Sequence, residues 1–179
     1  MRPPLSPRTV LVRSSNMRSA GRFPLDAPER FKIPESVLVV IHTAGLEVLL
    51  IERADKPGCW QSVTGSKDSA DEALVTTALR EVEEETGIVI GSPAVPEVNL
   101  RSWQMHNVYD IWPVWRHRYA EGVTHNTEHV FGLLVPRDVP VRLAPREHLQ
   151  HRWLPWQAAA GACFSPTNAA AIRLLPERA

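Results

Sequence analysis

Residues 65–88 read GSKDSADEALVTTALREVEEETGI, and their spacing sets the fold class of the chain. From Asp71 to Thr86 the pattern is helical: Val75, Leu79, Val82 and Thr86 fall on one stripe at about 100° per residue. Gly87 follows as a C-terminal stop, so the spacing predicts a helix over 71–86. On that helix Glu81, Glu84 and Glu85 sit at about 0°, 300° and 40°, a single face, with the apolar stripe centred near about 120°. The carboxylates are therefore expected to point away from the core contact. Like charges at i, i+3 and i+4 repel, each pair costing a few tenths of a kcal/mol in an exposed helix. A divalent cation would offset that, and Mg²⁺ prefers carboxylate oxygens while keeping waters for a phosphate. Taken alone, a solvated acidic face is the simpler reading of the cluster.

On the N-terminal side, SVLVVIH (36–42) and EVLLIER (47–53) are strand-like runs separated by Thr43-Ala44-Gly45-Leu46, which predicts a hairpin. Asp55 to Gly58 signals a turn, and Trp60 to Thr64 is a short strand ending at Gly65. Beyond the helix, Pro93 and Pro96 mark a loop. Arg101–His106, Val108–Arg118 and Thr127–Val135 read as strands, the proline-rich 136–145 as loop, and Gln157–Ala162 and Asn168–Leu175 as alanine-rich helices. No repeat or linker divides residues 31–179. Strands, a helix, more strands and further helices imply an α/β (α+β) sandwich.

The 179 residues suit one domain. Lys+Arg and Asp+Glu are 20 each, a balance that draws the protein neither to nucleic acid nor to an anionic membrane. No apolar run approaches the roughly 18 residues of a membrane span. Two cysteines, Cys59 and Cys163, cannot make a disulfide-rich scaffold or a four-cysteine zinc site, and a reducing, cytoplasmic compartment is the expectation. No His/Cys spacing fits a closed zinc site, so His117, His125, His129 and His148 are given hydrogen-bonding or structural roles. The balance hides an asymmetry: Arg2, Arg8, Arg13, Arg18 and Arg22 give the first 25 residues +5, with no acid among them. Residues 1–30 read as a disordered tail, as an upstream start with Met17 the true one, or as an arginine-rich targeting leader. The prolines there spoil an amphipathic helix.

The residues flanking the acidic face change its reading. Arg80-Glu81-Val82-x-Glu84-Glu85-x-Gly87-Ile88, with Glu72 eight residues before Arg80 and Gly65 ahead of it, resembles the Nudix box, G-x5-E-x7-R-E-U-x-E-E-x-G-U with U aliphatic. One residue departs from that pattern: six residues, not five, separate Gly65 from Glu72, and the extra one is expected to be absorbed at the loop tip near Asp68-Ser69. Further segments resemble the bacterial dihydroneopterin triphosphate pyrophosphatases. These are WQSVTGS (60–66), RYAxGVTxNTE (118–128), Glu147-His148, Trp153-Leu154 and Ser165-x-x-Asn168, in order from about residue 31 to the end.

The resemblance implies a Nudix α/β/α sandwich with a mixed sheet over 31–179, and a cytoplasmic hydrolase that removes pyrophosphate from dihydroneopterin triphosphate in folate synthesis. It implies Mg²⁺, with Mn²⁺ as a substitute, held by Glu81, Glu85 and the sequence-distant Glu147. Glu84 is the candidate general base with Glu81 as its rival, and Arg80 is the partner that holds the carboxylates. Lys32, Arg53, Thr64 and Ser165 align with substrate-contacting positions, and two cations and two hydroxyls suit a triphosphate. The strip Tyr109-Asp110-Ile111-Trp112 aligns with a further substrate region whose aromatics can stack on a pterin. The expected partner is thus a small-molecule triphosphate, with no nucleic acid, no membrane and no oligomeric state implied. Two alternatives stay open: a Nudix hydrolase of other nucleotides, and a non-catalytic binding module on the same fold.

Overall fold

A computed structural model describes residues 31–179; the readings made for residues 1–30 lie outside the described residues. The centre of the fold is β1 (Glu35–His42), where Val37 to Ile41 are all buried. It pairs antiparallel with β4 (Val63–Ser66) and in parallel with β6 (His125–Leu134) along its whole length. Side chains of successive residues point to opposite faces, and both faces are covered, which is why the run is continuously apolar. Val37, Val39 and Ile41 pack with Ala78 and Val82 of α1 (Leu74–Thr86). Leu38 and Val40 pack on the other face with α2 (Trp156–Ala162), α3 (Pro166–Arg173) and α4 (Leu175–Arg178), through Ala159, Ala171, Ile172 and Leu175.

The seven-stranded sheet is mixed. β2 (Glu47–Arg53) carries β3 (Trp60–Gln61) and β7 (His148–Pro155), and β5 (Leu100–Asp110) pairs antiparallel with β6. Helices on both faces of a mixed sheet make the α/β/α sandwich expected from the sequence. No helix among the described residues is long and apolar enough to cross a membrane.

Several local expectations are corrected. The predicted hairpin is only a corner: β1 and β2 pair at His42↔Val48 and then part, since β4 takes the β1 edge and β7 takes β2. The predicted strand 60–64 is two strands, broken at the buried Ser62 as the chain moves from β2 to β1. Asn168 of α3 clamps that break, accepting from Ser62 N (2.8 Å) and donating to Ser62 Oγ (2.9 Å). Gly65 lies inside β4 and does not open the loop. The strand expected over 108–118 ends at Asp110, because Pro113 starts a 3₁₀ turn over Pro113–Arg118. β7 carried no signal, as its largely exposed HLQHRWLP lacks an apolar alternation.

The helix starts at Leu74 rather than 71, and its buried face is rotated from the expected one. Val75 is 44% exposed, while Thr77, Ala78, Val82, Glu85 and Thr86 are buried. The centre of that set lies near about 65° on the same wheel, not about 120°. α1 therefore turns the edge bearing Glu81 and Glu85 toward the sheet.

Candidate active site

That rotation sorts the three carboxylates. Glu85 is 5% exposed, the Glu81 side chain 13% and the Glu84 side chain 58%. Gly65 makes room for Glu81: a Cβ there would overlap its Cγ, Cδ and Oε1. On the same strand, the Thr64 N–H donates to Glu85 Oε2 (3.3 Å). Burial pushes the Glu85 carboxyl above the usual carboxylate range, with His148 and the Thr64 N–H opposing and Glu147 adding to the rise. Burial also pushes Glu81 up to about 7, against the pull of Arg80 and with help from Glu85 and Glu84. Both carboxylates are thus short of positive charge in the protein alone.

Arg80 organises the outer side of the cluster. Its Nε lies 3.2 Å from Asp68 Oδ2 and 3.3 Å from Glu72 Oε1, and its Nη1 lies 2.8 Å from Glu81 Oε1 and 3.2 Å from Glu84 Oε2. Nη2 donates to the Ser66 carbonyl (2.9 Å). One guanidinium thereby joins β4, the 67–73 loop and two turns of α1. Glu72 precedes the helix and closes the loop by accepting from Asp68 N (2.6 Å). The loop closes in a turn in which Glu72 N–H donates to Ser69 O (3.2 Å), with Asp68, Ala70 and Asp71 exposed and Ser69 half-buried.

The distant Glu147 arrives through a turn ahead of β7. Glu147 N and His148 N both donate to Ala144 O (3.0 Å each), and Ala54 N donates to Glu147 O (2.8 Å), tying the turn to the end of β2. Glu85, Glu147 and His148 each offer a ligand atom, all within 4.8 Å of one another. His148 Nε2 is 3.3 Å from Glu85 Oε1 but not in hydrogen-bond geometry, so both buried ring nitrogens lack a hydrogen-bond partner among the described residues. The buried Glu85, the exposed Glu147 and an imidazole without a hydrogen-bond partner among the described residues fit a divalent cation, which takes such oxygen and nitrogen donors; Glu81 lies outside this group of three.

The residues expected at the substrate lie on several elements, and Lys32, Arg53 and Thr64 are the ones that interact with the carboxylates. Lys32 remains open to solvent as a whole, but burial of its ammonium end and the nearby Arg118 and Arg53 pull it below the ordinary lysine value, while Glu81 and Glu147 oppose them. It is therefore within electrostatic reach of both the carboxylates and the arginines. Arg53 makes a two-pronged contact with Asp55 (2.8 and 2.6 Å), donates to Gln61 Oε1 (3.3 Å) and lies 6.0 Å from the Phe164 ring centroid. Thr64 Oγ1 accepts from Gln61 Nε2 (3.4 Å). Ser165 caps α3, accepting from Asn168 N (3.5 Å). Trp112 is exposed and stacks on Trp115, with Lys56 Nζ 5.7 Å from the Trp112 ring and 5.7 Å from the Phe164 ring. Tyr109 is partly exposed, and Asp110 Oδ1 lies 3.0 Å from His125 Nε2. Ile111 is buried, its N–H bonded to Thr124 O (2.7 Å).

Residues 32–175 match the family described as NUDIX domain. The chain belongs to the NUDIX family. It is 39% identical over 143 residues to the dihydroneopterin triphosphate diphosphatase of Escherichia coli K12, covering 79% of this chain and 91% of that protein. It is 36% identical over 146 residues to the enzyme of the same name from Haemophilus influenzae, covering 80% and 88%. The solved E. coli dihydroneopterin triphosphate pyrophosphohydrolase is similar at a TM-score of 0.72 and 38% identity, covering 83% of this chain and 99% of that one. A putative NUDIX hydrolase from Listeria monocytogenes shares the fold at a TM-score of 0.66 and 23% identity. NUDIX hydrolases use divalent metal ions and act on small-molecule phosphates, in line with the carboxylate cluster.

Two features of this NUDIX site escaped the sequence reading. His148 was given a structural role; its signal was adjacency to Glu147, which carries it to whatever Glu147 approaches. The sequence marks Gly65 only as the end of a strand ahead of the loop, whereas its lack of a side chain accommodates Glu81.

Proposed function

We propose that this NUDIX protein hydrolyses dihydroneopterin triphosphate to dihydroneopterin monophosphate and pyrophosphate, a cytoplasmic step of folate synthesis. The observation that supports the reading is the grouping of Glu85, Glu147 and His148, with Glu81 beside Glu85, within electrostatic reach of cationic Lys32, Arg53 and Arg118. A triphosphate needs both metal-binding carboxylates and basic side chains. The two relatives at 36–39% identity name that substrate. In the reaction one water oxygen bonds to phosphorus, the bond to the bridging oxygen breaks, and pyrophosphate leaves.

Glu81, Glu85 and Glu147 are assigned to a divalent ion, Mg²⁺ with Mn²⁺ as substitute. Bound there, the ion supplies charge neutralisation at phosphate oxygens and acidifies a bound water. Thr64 N–H and Arg80 fix Glu85 and Glu81. Lys32, Arg118 and Arg53 hold the phosphates, and Ser165 offers a hydroxyl near Arg53's aromatic neighbour, Phe164. Glu81 is the better proton acceptor than Glu84, because it is buried beside Glu85 while Glu84 faces solvent. The test is to rank kcat/KM with Mg²⁺ across dihydroneopterin triphosphate, canonical dNTPs, oxidised dGTP and ADP-ribose. Dihydroneopterin triphosphate should lead by at least about tenfold. A different leading substrate would select the broader nucleotide reading, and no turnover of any would select a binding module.

A further inference from the structure

The sheet face opposite α1 carries a second buried polar group that the phosphate chemistry does not use. Glu128 and Asn126 lie two residues apart on β6 and so share a face. Opposite them on β5 stand Asn107 and Tyr109, and on β1 Ser36 is level with Glu128. This face is the one that also carries Leu38 and Val40 against α3, whose Thr167 closes the group from above.

Glu128 is 6% exposed and Asn126 3%. Glu128 Oε2 accepts from Asn107 Nδ2 and Thr167 Oγ1, each at the long distance of 3.4 Å, and Oε1 has no hydrogen-bond partner among the described residues. No cationic side chain among the described residues pairs with it. Burial raises its pKa, with only those two weak bonds opposing. Asn126 donates through its amide nitrogen to Ser36 Oγ (2.7 Å) and Tyr109 OH (3.0 Å), and its Oδ1 is buried without a partner among the described residues. A buried acceptor without a donor costs about 1–3 kcal/mol, more when charged. Asn126 Oδ1 is such an acceptor, and beside it on the same face stands a carboxylate held by only two long bonds; together they suit a ligand rich in N–H groups.

Two residues already placed at the substrate lead into this group. Tyr109 bonds Asn126 directly, and Ser165 Oγ lies 2.9 Å from Thr167 Oγ1, which bonds Glu128. We propose that Glu128 and Asn126 are the ring-recognition site of the enzyme, Glu128 accepting from the ring N–H and exocyclic amino group of a 2-amino-4-oxo heterocycle. That edge is common to pterins and guanine. A paired N–H edge matches the two oxygens of one carboxylate, and an unpaired buried acceptor rejects rings lacking the donor far more strongly than an apolar pocket rejects a size change. The inference rests on the pterin triphosphate reading and names the group that selects the ring.

The experiment titrates the full-length protein with neopterin, guanosine, the lumazine analogue of neopterin (a 2-oxo group replacing the 2-amino group, the side chain kept) and inorganic tripolyphosphate, comparing wild type with Glu128→Gln. Wild type should bind neopterin at least about tenfold more tightly than the lumazine analogue. Glu128→Gln should lose at least about tenfold for neopterin while its affinity for tripolyphosphate stays within about twofold. Unchanged neopterin binding in Glu128→Gln, equal losses for both ligands, or no discrimination against the lumazine analogue by wild type would overturn the assignment. The wild-type comparison decides the matter even if the variant fails to fold. Guanosine bound in preference to neopterin, with dGTP turned over best, would keep the subsite and sink the pterin reading. Preferred turnover of dihydroneopterin triphosphate by an unaffected Glu128→Gln would do the reverse.

Discussion

Replacing Gly65 with alanine tests the central geometric claim, that a missing side chain positions a functional carboxylate. A Cβ at residue 65 would overlap Cγ, Cδ and Oε1 of Glu81. Reaching an ordinary carbon–carbon separation of about 3.5–4.0 Å requires the Glu81 carboxyl end to retreat by on the order of 2 Å. Gly65 is not among the positive-φ glycines, so alanine meets no backbone strain. Replacing a strand glycine even gains about 0.5–1 kcal/mol by restricting the unfolded chain. Against this stands the loss of the 2.8 Å Arg80–Glu81 contact, about 1 kcal/mol for a partly exposed pair. These nearly cancel, so Tm should move by no more than about 4 °C. Activity should behave differently, since a displacement of about 1 Å can cost about a hundredfold. Gly65→Ala is expected to lower kcat by at least that factor, read by coupled release of pyrophosphate, with calorimetry on the same samples. Adding Glu81→Gln to Gly65→Ala should cost little more, because both act on one group. Gly65→Ala retaining kcat within threefold, or the two changes multiplying, would refute the reasoning.

Four other outcomes follow from the same geometry. Glu85→Gln should abolish most turnover and leave metal-free stability unchanged or raised, because it removes a buried, under-compensated charge; near wild-type rates would dismiss Glu85 as a ligand. The Glu81 carboxyl titrates near about 7 in the folded protein against 4.5 ordinarily, so the native state retains a proton that the unfolded chain has lost. Its stabilisation is full below about 4.5 and lost as pH rises through about 7; metal-free wild type should therefore lose more Tm between these values than Glu81→Gln, and saturating Mg²⁺ should shrink the gap, whereas parallel curves would contradict the burial. Asn168→Ala strands the buried Ser62 N–H and should cost about 2–3 kcal/mol, seen as a drop of roughly 5–10 °C in Tm. Deleting Ser69 at the surface turn should leave kcat within about tenfold, while deleting Leu79 should abolish it by turning Glu72 about 100° away from the Arg80–Glu85 face; equal damage from the two would give the extra loop residue a role in the site.

The sequence by itself determined the NUDIX motif, the helix that carries it, the central strand and the set of carboxylates that could bind metal. These are properties of short-range spacing: a 3.6-residue period, a glycine stop, a run of buried aliphatics. It also reached Glu147, though only through resemblance. Local spacing could not determine which face of α1 turns inward. A helical wheel ranks faces by apolarity and favoured Val75 and Leu79, but the sheet offers α1 a seat with a gap at Gly65, and burial of Glu81 and Glu85 follows from that seat. Nor could it show that Ser62 breaks one strand into two, since the break is stabilised by Asn168, which is 106 residues away. The juxtapositions of Glu85 with His148 and of Glu128 with Asn107 and Thr167 are of the same kind. Each joins side chains from separate elements whose chemistry depends on shared burial, and burial is decided only when the sheet and both helical layers close around them.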